Sequence, residues 1–244
     1  MKLHILGCGD AFGSGGRNQS GYLVEAADRL FLLDCGPSAL FTIKRAGFDP
    51  ARLDAVLVSH LHGDHFGGLP FFFIDALYEH PRERPLHIAG PPGIEARARG
   101  LFQLMYGDPA EPRELPPVEF HVLEPDRPAT VAGVHIFPFR VPHQTREISL
   151  GLKVNFQGKI ILFSGDSAWT EQFVAQARGA DLFLCECCFY DREVSNHMNY
   201  RTLEANLGRL DCKRIVLTHL GEEMLARKDK LKVPSAYDGM VIEV

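Results

Sequence analysis

The sequence contains no run of 18 apolar residues with which to cross a bilayer, no low-complexity linker and no internal repeat. A single domain over residues 1–244 is expected, with no membrane association. The opening stretch, Met1-Lys2-Leu3-His4-Ile5-Leu6, leads directly into Gly7-Cys8-Gly9 without the apolar region and cleavage site of a signal peptide, so export by that route is not expected. An excess of basic charge is also missing. With 26 Lys and Arg against 31 Asp and Glu, the net charge is −5, which excludes a general surface for duplex nucleic acid. The run Lys228-Lys230-Lys232 reads as a solvated helix face. Cysteine is scarce, and the six present lack the spacing of a disulfide framework. A cytoplasmic location follows as the expectation. Cys185 and Cys187, in a buried-strand pattern, read as small core residues rather than thiolate ligands.

Against these absences stands one dense cluster, His60-Leu61-His62-Gly63-Asp64-His65. Imidazoles and a carboxylate packed this tightly are costly unless a cation needs them. The apolar run Ala55-Val56-Leu57-Val58 before the string reads as a strand, and Gly67-Gly68-Leu69-Pro70 after it as a turn opening a helix. The string thus lies on a loop leaving a strand end, where active sites of layered α/β folds tend to sit. Residues two apart in extended chain point the same way, so His60 and His62 can share one ion. Asp64 and His65, past a turn at Gly63, can face another.

Three later segments each end an apolar run on a ligand type: Val141-Pro142-His143, Phe163-Ser164-Gly165-Asp166 and Leu217-Thr218-His219. Together they give five histidines and two aspartates, a nitrogen and oxygen donor set suited to zinc, manganese or iron. A closed structural zinc site needs only four ligands, usually with cysteine among them, so this inventory points to catalysis. The isolated histidines His4, His80, His87, His121 and His135 read instead as surface or satisfied core residues.

In order and flanks, His60, His62, Asp64, His65, His143, Asp166 and His219 resemble the motif set of the metallo-β-lactamase superfamily. The resemblance implies a four-layer αββα sandwich, an α/β (α+β) fold of two mixed β-sheets with helices outside. It also implies two divalent metal ions, with zinc the first expectation: His60, His62 and His143 on one, Asp64, His65 and His219 on the other, and Asp166 bridging. The aspartate at 166, where β-lactamases proper commonly carry cysteine, argues against antibiotic hydrolysis.

Two metals roughly 3.5–4 Å apart activate water for hydrolysis, but such a site does not choose among phosphodiester, thioester and lactone. The segment Asn196-His197-Met198-Asn199-Tyr200, read as a histidine opening a helix, resembles the histidine motif of the ribonuclease Z and phosphoribosyl cyclic phosphodiesterase branch. By the same resemblance Glu186 would orient His197. Tyr237-Asp238-Gly239-Met240 looks like the ending of the cyclic phosphodiesterases. Only 22 residues separate His143 and Asp166, so the tRNA-gripping arm of ribonuclease Z is not expected. In the loop Gly13–Gly21, Arg17 is a candidate phosphate contact.

The expected function is a phosphodiesterase for small or cyclic phosphodiesters or short nucleotides. Asp64 and Asp166 would fix the attacking hydroxide through the metals, and His197 would assist the leaving oxygen. The alternatives are a lactonase or thioesterase, and a non-catalytic metal- or nucleotide-binding regulator. A homodimer is left open. Elements read from the pattern include strands Lys2–Leu6, Gly21–Glu25, Leu30–Asp34, Val118–Val122 and Val134–Arg140, and helices Leu69–Tyr78, Ile94–Tyr106, Thr170–Arg178 and Tyr200–Leu210.

Overall fold

A computed structural model describes residues 1–108, 111 and 113–244. Its first half runs β1 (Lys2–Gly7), β2 (Gly21–Glu25), β3 (Leu30–Cys35), α1 (Ala39–Arg45), β4 (Ala55–Leu57), α2 (Gly63–Phe66), α3 (Leu69–Tyr78), β5 (Leu86–Gly90), α4 (Ile94–Tyr106) and β6 (Val118–Val122). The second half runs β7 (Ala129–Val131), β8 (Val134–Arg140), β9 (Leu150–Phe156), β10 (Lys159–Phe163), α5 (Gln172–Ala177), β11 (Leu182–Glu186), α6 (Tyr200–Asn206), β12 (Ile215–Thr218), α7 (Glu222–Leu225) and β13 (Val241–Glu243).

The strands form two sheets, in the orders β13-β1-β2-β3-β4-β5-β6 and β12-β11-β10-β9-β8-β7. Each begins as an antiparallel meander and continues as parallel strands joined by helices. The helices cover the outer faces, because parallel strands need crossovers and both faces of such strands must be buried. In β3, Leu-Phe-Leu-Leu-Asp-Cys is buried at every position, the signature of a strand covered on both sides.

Three apolar clusters make the four layers. Leu3, Tyr22, Phe31, Leu152, Phe163 and Leu184 meet between the sheets. Leu40, Phe72, Phe73 and Phe102 pack α1, α3 and α4 on the first sheet. Phe173, Tyr200, Leu203 and Met224 pack α5, α6 and α7 on the second. The expected αββα sandwich of two mixed sheets is the observed one. Its consequence for function is alignment: β4, β8, β10, β11 and β12 all deliver their C-terminal ends to one edge of the sandwich.

Most elements match the sequence reading to within a residue or two, α3 and α4 at both ends. The departures are local. Where a turn at Gly63 was expected, a single helical turn, α2, carries Asp64 and His65, with His62 as its extended cap residue. The helix expected to run to Leu210 ends at Asn206 and tightens into a 3₁₀ turn over Leu207–Arg209. The hairpin of β7 and β8 escaped notice because Ala132 and Gly133 make its turn, both with positive φ (48° and 82°), and alanine is not a residue that announces such a turn.

The two sheets are locked by Tyr22 of β2 and Phe163 of β10, both essentially inaccessible, with ring centroids 5.3 Å apart and nearly edge to face. Replacing Phe163 with Ala should destabilise the fold by about 3–5 kcal/mol, through lost apolar contact and a cavity that the rigid sheets cannot close. Urea unfolding followed by circular dichroism measures this, and a midpoint unchanged from the parent would show that the intersheet core does not depend on this pair.

Candidate metal centre

The local backbone explains how seven side chains reach one point. His62 has extended dihedrals (φ −79°, ψ 148°), so His60 and His62 lie on the same side of the chain, and the turn of α2 then swings Asp64 and His65 round behind them. Gly36 lets this loop lie on the end of β3, since a Cβ there would come within 2.6 Å of the Asp64 carbonyl oxygen. Gly165, at φ +57°, turns the chain so that Asp166 faces inward, and a Cβ there would meet the Leu150 carbonyl at 2.7 Å. His219 itself sits at φ 55°, a costly conformation outside glycine that is typical of functional positions.

The donors form two groups that share one carboxylate. In the first, His62 Nδ1 lies 3.1 Å from His60 Nε2 and 3.0 Å from His143 Nε2. In the second, His65 Nε2 lies 3.2 Å from Asp64 Oδ2 and 3.2 Å from Asp166 Oδ2, and His219 Nε2 lies 3.3 Å from the same Asp166 oxygen. Asp166 Oδ2 also stands 3.8 Å from His60 Nε2 and 3.9 Å from His143 Nε2, between the two groups. A tetrahedral ion with bonds of about 2.0–2.1 Å separates its ligand atoms by roughly 3.3–3.4 Å, so both groups have the size of a coordination shell. His65 Nε2 and Asp166 Oδ1 are buried without a hydrogen-bond partner, as ligand atoms are when their partner is a metal.

Protonation favours the same reading. Burial and neighbouring imidazoles push His60 far below its ordinary value, and burial lowers His143 to about 4, so both present neutral nitrogen. For His65, burial opposes the charge, yet Asp166, Asp34 and Asp64 outweigh it and raise the imidazole well above its usual range. The carboxylates therefore favour positive charge at this point, which a divalent ion would supply.

A supporting shell fixes the rings. Asp34 receives His65 Nδ1–H at 2.6 Å as well as the Ser59 amide and hydroxyl. His143 Nδ1 donates to the Asn196 carbonyl at 2.7 Å, and Gln144 Nε2 is 2.9 Å from His62 Nε2. The bonds made by His65 and His143 through Nδ1 leave the Nε2 of each ring facing the centre. The sequence reading missed Asp34, Ser59 and Gln144. The one signal for Asp34 is an aspartate followed by Cys35-Gly36 at a strand end. Cys188 belongs to the Cys185-Glu186-Cys187-Cys188 run read as core rather than thiolate ligand, yet its sulfur lies within 4.8 Å of donor atoms of His197 and His219. Burial and the Glu186 charge hold its thiol protonated.

His197 and Glu186 meet as expected, but on different terms. His197 does not open a helix: α6 begins at Tyr200, with Asn199 as its cap. The ring is instead held by Glu186 at the end of β11, whose Oε1 accepts from His197 Nδ1 at 2.5 Å. Glu186 also accepts from the backbone N–H groups of Ser167, Cys188 and Met198. Burial raises this carboxyl, but four donors aimed at it stabilise the anion. Burial opposes charge on His197 as well, and is outweighed by the Glu186 hydrogen bond and the charges of Glu186 and Asp166, which push the imidazole up to about 9. His197 stacks on His219 with centroids 5.6 Å apart and planes 6° from parallel. Arg17, the candidate phosphate contact, ties its Nη1 to the Ala236 carbonyl and Cys8 sulfur.

The family described as anti-Pycsar protein Apyc1 matches residues 1–234. The probable metallo-hydrolase YhfI of Bacillus subtilis (strain 168) is 28% identical over 235 residues, covering 90% of this chain and 87% of that protein. Its crystal structure, titled a metallo-β-lactamase fold protein, covers 99% of both chains with a TM-score of 0.78 and 26% identity. A ribonuclease Z of Shouchella clausii (strain KSM-K16) is 25% identical, covering 97% of this chain and 92% of its own. A diphosphatase from the PhnP family superposes with a TM-score of 0.79 at 18% identity, covering 100% of this chain and 97% of that one, a likeness of fold alone.

Because one Asp166 oxygen serves both donor groups, Asp166→Ala should lower metal content at both together. Elemental analysis after equilibrium with zinc should find close to two more ions per chain in the parent than in the variant. Equal occupancy in the two proteins would show that Asp166 is not shared.

Proposed function

From the premise that this chain belongs to the family described as anti-Pycsar protein Apyc1, and to the metallo-β-lactamase superfamily, we propose a binuclear metal-dependent phosphodiesterase for small or cyclic phosphodiesters or short nucleotides. The observation that carries this reading is the His197–Glu186 pair beside the shared carboxylate: His197 Nδ1 is 2.5 Å from Glu186 and 4.0 Å from Asp166 Oδ2.

His60, His62 and His143 would hold one divalent ion, zinc for preference, and Asp64, His65 and His219 the other, with Asp166 between. When bound, such ions supply a water of lowered pKa and offset the charge of a phosphodiester. The rest belongs to this chain. Asp64 and Asp166 position the attacking water from the carboxylate side. His197 spends Nδ1–H on Glu186, and among the described residues no hydrogen bond occupies its Nε2. A protonated imidazole oriented this way can hand a proton from Nε2 to a departing alkoxide. Glu186 is a positioning residue, locked by three backbone amides so that the ring cannot turn. The net charge of −5 supports a compact substrate rather than a duplex, and six unpaired cysteines support a reducing cytoplasm. Among the described residues no helix is long and apolar enough to cross a membrane.

His197→Ala should keep its metals yet lower phosphodiester turnover by about 10²–10⁴-fold, the span of general acid catalysis. With a nitrophenyl leaving group, which departs without a proton, the loss should shrink. Glu186→Gln should reproduce that pattern at smaller amplitude, with metal content unchanged. A screen of the metal-loaded protein over phosphodiesters, 2′,3′- and 3′,5′-cyclic nucleotides, thioesters and lactones sets the context. Activity confined to carbon esters, or parent-rate phosphodiester turnover in His197→Ala, would favour the lactonase or thioesterase instead.

A further inference from the structure

A second convergence of donor atoms lies on β5 and β6, away from the strand ends that carry the candidate centre. His87 and Glu119 are register partners on these parallel strands, and His121 pairs with Ala89 two residues on. Alternation puts all three side chains on one face. Leu86, Ile88, Val118 and Phe120 pack on the helix side of the sheet, whereas Ala89 packs between the sheets, so the three face the rim of the intersheet space. His87 Nδ1 lies 3.1 Å from His121 Nε2 and 3.4 Å from Glu119 Oε2. All three donors fall within 4.8 Å of one another. Ligand atoms around a tetrahedral ion stand roughly 3.3–3.5 Å apart, so two of these separations need little adjustment.

We propose that His87, Glu119 and His121 form a further site for a zinc-type divalent transition ion, which clips β6 to β5. The donor set of two imidazoles and one carboxylate suits such an ion and leaves a fourth position for water. Glu119, with its side chain 55% exposed, gives the ion a route in from solvent. The need for a clip is visible in the strand itself. β6 is an edge strand whose in-sheet partner is β5, and it is the one described strand with no buried residue, its five positions being half-buried or exposed. A strand so little buried is held mainly by its backbone ladder and is open to fraying. A coordinate bond from each strand to a common ion closes that weakness. Without an ion, the two rings would share a single N–H···N hydrogen bond with Glu119 beside His87, a difference that experiment can read.

The test compares the full-length parent with His87→Gln/His121→Gln, both stripped of metal and dialysed against low-micromolar free zinc. Elemental analysis should find one more ion per chain in the parent, while metal-loaded turnover stays equal. In the parent alone, the extra ion should slow amide exchange at Phe120, His121 and Val122 by roughly tenfold or more, as expected when a local opening is suppressed. Equal metal content would overturn the site, and an extra ion without slower exchange would overturn the clip. If the double variant fails to fold, Glu119→Gln keeps the shape and removes one ligand, and an affinity for the extra ion unchanged from the parent would likewise overturn the proposal. Since each readout is a difference against the parent, it is independent of how many ions the candidate centre holds and of what that centre hydrolyses.

Discussion

The rest of the site depends on one buried anion. Asp166 is 3% exposed, and taking a lone carboxylate out of water costs several kcal/mol. Its Oδ2 is ringed by His60, His65, His143, His197 and His219 at 3.2–4.0 Å. Those imidazoles repel one another if all are protonated, so protons alone cannot settle the account. Two divalent ions would satisfy both the carboxylate and the neutral rings. The convergence of strand ends, the left-handed backbone at Gly165 and His219, and the shell built on Asp34 all serve to hold ligands around that charge.

How much of this was legible in the sequence depended on how local each interaction is. The clustered donors announced themselves through a dense string and through strand runs ending on histidine or aspartate, patterns written within a few residues. Asp34 did not, because its partners His65 and Ser59 lie 31 and 25 residues away. Likewise His143 is fixed by a backbone carbonyl 53 residues distant, which leaves no mark on side-chain composition. Elements follow the same rule. Helices α3 and α4 are long enough for periodicity to define both ends. The four-residue α2 and α7 are shorter than the window over which periodicity is readable, and α2 is dictated by packing against β3 rather than by propensity. Among isolated histidines the bland reading suits His4, which bonds Glu25, and His135, which bonds Thr130. His87 and His121 come together only because β6 adds in parallel beside β5, a pairing that sequence separation conceals.

His197 shows where an expected contact, that with Glu186, forms in a different local setting. Read at a helix start, its charge would add to the positive end of the helix dipole against a phosphate oxygen, while that dipole itself opposes the protonated ring by about 0.3–1 kcal/mol at an exposed terminus. In the structure it precedes the cap of α6 and draws instead on a buried carboxylate held by three backbone amides. That carboxylate raises the imidazole and also occupies its Nδ1, leaving Nε2 as the other ring nitrogen. Both effects come from Glu186 being anchored at the end of β11, between the strands that deliver Asp166 and His219. The sheet order therefore sets the relation between His197 and the clustered donors: β10, β11 and β12 stand side by side, and each contributes one of the three carboxylate or imidazole groups around His197.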